Sequence, residues 1–83
     1  MMNQVHFYTK TSCKLCDDAK AMLDTYQLMY DFEIIEHNIE EDEQLLEKYF
    51  LTIPVIKINH KELDAAELNM ATLDDFLSEN LPR

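Results

Sequence analysis

Residues 4–16 read QVHFYTKTSCKLC. The first six, QVHFYT, are short and rich in β-prone side chains, which predicts a strand over residues 4–9. A three-residue break at Lys10, Thr11 and Ser12 then leads into Cys13 and Cys16, the two cysteines of the chain. Beyond them Leu15, Ala19, Met22, Leu23 and Tyr26 recur at helical spacing, with Asp17, Asp18, Lys20 and Asp24 on the other side. This pattern predicts an amphipathic helix of about four turns that begins at the cysteines. Strand, short loop and helix together set the first cysteine at a helix N-terminus.

The remaining chain continues in the same alternating manner. Residues 32–38, FEIIEHN, read as a second strand. Leu45, Leu46, Tyr49 and Phe50 form one apolar stripe behind the acidic run 40–43, whose charge suits a helix N-terminus. Residues 53–58, IPVIKI, read as a third strand, and Asn59 is the natural residue for a tight turn with positive φ before a short fourth strand, 61–63. Thr72, with Asp75 three positions on, resembles the cap of a last helix whose apolar side holds Leu73, Phe76 and Leu77. The order is β-α-β-α-β-β-α. It predicts an α/β fold over residues 1–83, a single domain whose four-stranded mixed sheet combines a parallel crossover with a final antiparallel hairpin and is flanked by helices.

Composition narrows the function classes. Seven basic against seventeen acidic residues give a formal charge of −10, which repels phosphate backbones and anionic lipid headgroups. No nucleic acid and no membrane is expected as a partner; the acidity serves either solubility or the selection of a basic partner surface. Glycine is absent, and with it any glycine-rich phosphate loop. The start, MMNQVHFYTK, has no basic region followed by an apolar run, so no signal peptide is expected. One closely spaced cysteine pair cannot staple a secreted domain, so the expected setting is a reducing cytoplasm, where Cys-x-x-Cys is catalytic or metal-binding more often than structural.

At a helix start, unpaired N–H groups and the positive end of the macrodipole favour a thiolate. Lys10 and Lys14 add positive charge near Cys13, whereas Asp17 and Asp18 act weakly against it from solvent. Cys13 is thus expected to have a lowered pKa and to attack, and Cys16, one turn along, to resolve the mixed disulfide. Two other readings of the pair stand beside this one. They are a pair of small core residues, or half of a zinc site that needs two more ligands; His6, His37 and His60 do not stand at ligand spacing with one another, so no metal is expected. Pro54 at the head of the third strand fits a strand start or edge, and a cis Ile53–Pro54 bond would turn the backbone of Ile53 toward an incoming extended substrate.

These residues resemble a glutaredoxin. YTKTSCKLC at 8–16 is similar to that family's strand-end tyrosine, lysine and Cys-x-x-Cys, and TIPVIKI at 52–58 to its Thr-Val-Pro segment with a cis-proline. The run C-x-L-C-x-x-A-K at 13–20 is similar to short bacterial glutaredoxin-like proteins. The resemblance implies a thioredoxin fold and a monomeric thiol–disulfide oxidoreductase of cell redox homeostasis. In it Cys13 is the nucleophile, Cys16 the resolving thiol, Pro54 the cis-proline and Ile53 the substrate-pairing backbone. Lys10 matches a lysine that helps hold glutathione's carboxylate. Implied partners are a disulfide-containing protein or a glutathione mixed disulfide; no cofactor is bound tightly, and glutathione enters as co-substrate. Two departures stand out: Lys14-Leu15 replaces the usual Pro-Tyr, and no Gly-Gly turn follows the fourth strand to precede an acidic grip on glutathione, a place where only Asp74 and Asp75 offer themselves. The second departure favours one alternative, an electron donor reduced by a flavoprotein reductase; a different class of alternative is a redox-silent module that docks a partner strand around Ile53 and Pro54.

Overall fold

A computed structural model describes residues 3–81. The expected order is met: β1 (Asn3–Thr9), α1 (Lys14–Tyr26), β2 (Phe32–Asn38), a 3-10 turn (Ile39–Glu41), α2 (Glu43–Tyr49), β3 (Val55–Ile58), β4 (Lys61–Leu63) and α3 (Met70–Asn80). The sheet runs β2-β1-β3-β4. β1 lies parallel to β2, from Asn3 opposite Phe32 to Thr9 opposite Asn38, and antiparallel to β3, with Phe7 opposite Ile56. β3 and β4 form the antiparallel hairpin, and Asn59 turns it at φ 56°.

Alternation along β1 divides the interior. Val5 and Phe7 point to one side, where α1 contributes Cys16, Ala19, Leu23 and Tyr26, and α3 contributes Leu73 and Leu77. Tyr8 points to the other, against Ile39, Tyr49 and Val55 under the 3-10 turn and α2. Among the described residues no polar or charged side chain is fully buried, and no helix is long and apolar enough to cross a membrane.

Four expectations shift by a residue or a face. Leu15 is 64% exposed, so α1 buries Cys16 and Ala19 rather than Leu15 and Ala19. The stripe on α2 narrows to Tyr49 with Leu45 partly covered, while Leu46 and Phe50 stay exposed, because a two-turn helix alone on its sheet face has only one side to bury. The third strand begins at Val55, leaving Ile53 and Pro54 outside the ladder. Finally, α3 is capped by Asn69 instead of Thr72. Asn69 Oδ1 accepts the Thr72 N–H at 2.9 Å and Thr72 Oγ1 accepts the Asn69 N–H at 2.9 Å, so Thr72 is the third helical residue of a reciprocal box.

Candidate active site

β1 delivers the chain to a tight loop, residues 10–12, in which Ser12 takes φ 56° where a glycine would ordinarily stand. Side chains from the end of β2 and the 3-10 turn hold that loop. Glu40 Oε1 accepts the Thr11 N–H at 2.9 Å, and Asn38 Nδ2 donates to Thr11 Oγ1 at 3.3 Å. The Thr11 hydrogen bonds, first the backbone one, hold the Glu40 carboxyl below the usual carboxylate range, with Lys10 adding to the effect. Sequence reasoning took Glu40 as part of a charged helix start. The signal that could have found its second role is Asn38, a short polar side chain suited to cap whatever follows β2; its Oδ1 accepts the Glu40 N–H at 2.9 Å.

Cys13 is the cap of α1. Its Sγ accepts the Cys16 N–H at 3.1 Å, and its carbonyl accepts the Asp17 N–H at 3.0 Å. Cys13 and Cys16 are joined as a disulfide, with Cα atoms 5.2 Å apart. Their surroundings differ. Cys16 is 2% exposed in the main core, whereas Cys13 is only partly covered. A sulfur that accepts a helix N-terminal N–H is placed where negative charge is stabilised.

Four residues predicted around the pair take distinct positions. Pro54 is buried, joined to Ile53 by a cis peptide bond, and forms a wall of a groove of about 180 Å³ with Leu15, Asp18, Met22, Ala65 and Leu68. Lys10 lies on the opposite flank, in a polar cleft of about 440 Å³ shared with Asp17, Glu36, Asn38 and Glu41. Lys14 is turned along the helix, its Nζ 3.9 Å from Asp18 Oδ1 with both ends in solvent. A neighbouring carboxylate therefore offsets the charge expected beside Cys13. The Ile53 N–H, expected to face a substrate, donates to the Tyr49 carbonyl at 3.0 Å, because α2 ends by sharing that carbonyl between Thr52 and Ile53.

Two further placements escaped the sequence. Asp74 accepts a hydrogen bond from the Tyr30 hydroxyl at 3.0 Å, past the C-terminal end of α1 and away from the cysteines at its start. His6 and His37, read as unrelated, meet on the face of the sheet under α2, with Nδ1 of the first 2.8 Å from Nε2 of the second. One ring must donate and the other accept. His37 stacks on Tyr8, Tyr8 lies against Tyr49, and the Tyr49 hydroxyl donates to Glu62. Burial, and then its bond to Glu62, push the Tyr49 hydroxyl pKa upward, so it remains the donor. No group of three or more His, Cys, Asp or Glu that could hold a metal occurs among the described residues.

Comparison with known proteins agrees with this geometry. Residues 4–78 match the family model described as "Glutaredoxin-like domain (DUF836)". The chain is similar to the structure of protein XcR50 of X. campestris, with 25% identity and a TM-score of 0.78 over 90% of this chain and 96% of that one. It is similar also to protein Ne2328 of Nitrosomonas europaea, at 27% identity and a TM-score of 0.74 over 92% of each chain. A malarial protein shares the fold at 16% identity, with a TM-score of 0.71 over 99% of this chain.

Proposed function

The chain belongs to the family of glutaredoxin-like domains, and on that premise we propose that it is a thiol–disulfide oxidoreductase whose Cys13–Cys16 pair cycles between dithiol and disulfide. The observation that carries the reading is the asymmetry of the pair: a partly covered sulfur at a helix cap, disulfide-bonded to one that is 2% exposed.

In the reduced protein the Cys13 thiolate attacks one sulfur of a substrate disulfide. A mixed disulfide forms, the substrate S–S bond breaks, and the departing thiolate takes a proton from solvent. Cys16 then loses its proton and attacks Cys13 Sγ, which releases the second substrate thiol and regenerates the intramolecular disulfide. Two electrons pass to the substrate. The N–H of Cys16, which reaches Cys13 Sγ, supports the Cys13 thiolate before its attack on the substrate. An extended substrate crosses the groove at Pro54 and meets the Ile53 carbonyl, since the Ile53 N–H is engaged by Tyr49.

A reductant must restore the dithiol, and the site favours a flavoprotein reductase over glutathione. Asp74 is held by Tyr30 past the far end of α1, away from the pair, where it is not placed to grip glutathione. The reaction suits a reducing cytoplasm, which keeps such a pair turning over.

Reduction of hydroxyethyl disulfide, with glutathione or with thioredoxin reductase and NADPH as donors, tests the reading. Cys13→Ser should abolish turnover, and Cys16→Ser should accumulate a mixed disulfide on Cys13. Alkylation of the reduced protein followed against pH should show a Cys13 thiol titrating below the free value of about 8.5. Turnover that survives Cys13→Ser sinks the proposal.

A further inference from the structure

Two clefts of different chemistry meet at the segment 52–55 that carries the cis-proline. The groove beside the disulfide is walled by Leu15, Met22, Pro54, Ala65 and Leu68, with Asp18 its charged member. Leu15 stands between the two cysteines and leaves 64% of its surface in water. Uncovered apolar surface of this kind favours an apolar occupant. Across the same segment Glu62, Asp64 and Glu67 line a second cleft of about 280 Å³, where Lys48 is the cation and lies over the Tyr49 ring. The backbone joins the two clefts: the Ala65 N–H donates to the Thr52 carbonyl at 3.1 Å, so the loop that walls the apolar groove also presents Asp64 and Glu67.

The two clefts flank the cis-proline segment 52–55, so an extended segment docked along it would meet both. We propose that this site selects a protein disulfide with an apolar side chain next to the reacting cysteine and a lysine or arginine within a few residues of it, and that it discriminates against glutathione disulfide. The inference rests on the exchange chemistry above and adds the substrate class. Charge complementarity identifies the occupant. Around the two clefts the carboxylates of Asp18, Glu62, Asp64 and Glu67 outnumber the ammonium groups of Lys14 and Lys48, on a chain of formal charge −10. Each half of glutathione disulfide brings two carboxylates and one ammonium group, and has no apolar side chain to fill the groove. A basic, apolar segment satisfies both clefts at once.

The test uses the full chain, reduced with dithiothreitol and then freed of it. Four mixed disulfides of thionitrobenzoate are offered: a peptide with leucine beside its cysteine and a nearby lysine, the same peptide with glutamate for lysine, the same with serine for leucine, and glutathione. Attack by Cys13 on the carrier sulfur releases coloured thionitrobenzoate and leaves the carrier on the protein; Cys16 then frees the carrier as its thiol. At low ionic strength the leucine–lysine conjugate should react about tenfold faster than its glutamate counterpart, and the difference should shrink as salt is added. Replacing leucine by serine should cost about tenfold. Glu67→Lys should shrink or invert the charge preference, and Leu68→Ser should flatten the apolar one.

Rates within about twofold of one another, or a glutathione conjugate that reacts fastest, overturn the substrate assignment while leaving the exchange chemistry standing. Absence of reaction above the Cys13→Ser background, with hydroxyethyl disulfide also inert, overturns the exchange chemistry and this inference together.

Discussion

A disulfide that turns over must be removable without loss of the fold, and the geometry says how much its removal costs. The ring closed by Cys13 and Cys16 spans a sequence separation of 3. For a ring of four residues the chain-entropy relation gives about 6 cal/mol/K, or about 1.9 kcal/mol at 25 °C, against about 3 kcal/mol for a fifteen-residue loop. This is an upper figure, because the reduced Cys13 sulfur keeps its place at the helix cap and, once ionised, recovers about 0.3–1 kcal/mol from the macrodipole. The fold rests instead on a core in which Phe7, Leu23, Phe32, Ile56, Leu73 and Leu77 are at most 2% exposed. Reduction should therefore lower stability by about 1–2 kcal/mol. In urea that moves the midpoint by about 1 M, and in a thermal scan it lowers Tm by about 5–15 °C. The assay is paired unfolding of oxidised and dithiothreitol-reduced protein, followed by far-UV circular dichroism and by tyrosine fluorescence. Unfolding on reduction, or a loss of more than about 4 kcal/mol, refutes the reasoning, because the disulfide would then be a staple on which the fold depends.

Two further outcomes follow from the interior. Burial first, and then the charge of neighbouring His6, hold the His37 imidazole pKa below its ordinary 6.5. The unfolded chain binds that proton more readily, so the pair's contribution is present in full above about pH 6.5 and is lost as pH falls below it. Acidification also lowers the net negative charge, which acts in the opposite sense. The comparison is therefore with His37→Gln, whose urea midpoint should fall less between pH 7 and pH 5; equal falls in the two proteins would count against the pair. Leu23→Ala, at a position 0% exposed on α1, should cost about 2–5 kcal/mol. Leu51→Ser, at 82% exposure past α2, should change stability by less than about 0.5 kcal/mol, and a larger loss would mean that the apolar end of α2 is covered after all.

Much of this molecule is written in local patterns. A strand of alternating residues at 4–9, a helical repeat running on from the cysteines, a turn that needs positive φ at Asn59 and a proline at the head of a strand are each short-range features. Local chemistry decides them, so the element order, the cap position of Cys13 and the place of Pro54 could be derived in advance. Which side of an element finds a partner is a different matter. Leu15 and Leu46 carry the helical pattern yet lie exposed, because burial depends on what the sheet brings against a helix. Asn69 displaced Thr72 as a cap because both side chains suit the role, and only the chain's path into α3 chooses between them.

The site divides along the same line. The sequence by itself determined that two thiols sit one helical turn apart at the end of a strand, since spacing and helix-terminus electrostatics are properties of neighbours in the chain. Only the tertiary structure decided that Cys16 is sealed in the core, that Asp74 is engaged by Tyr30, and that His6 meets His37 thirty-one residues away. Those facts depend on strand register and on the packing of α1 and α3 against the sheet, where a pairing is set by distance in space and leaves no periodic mark in the chain.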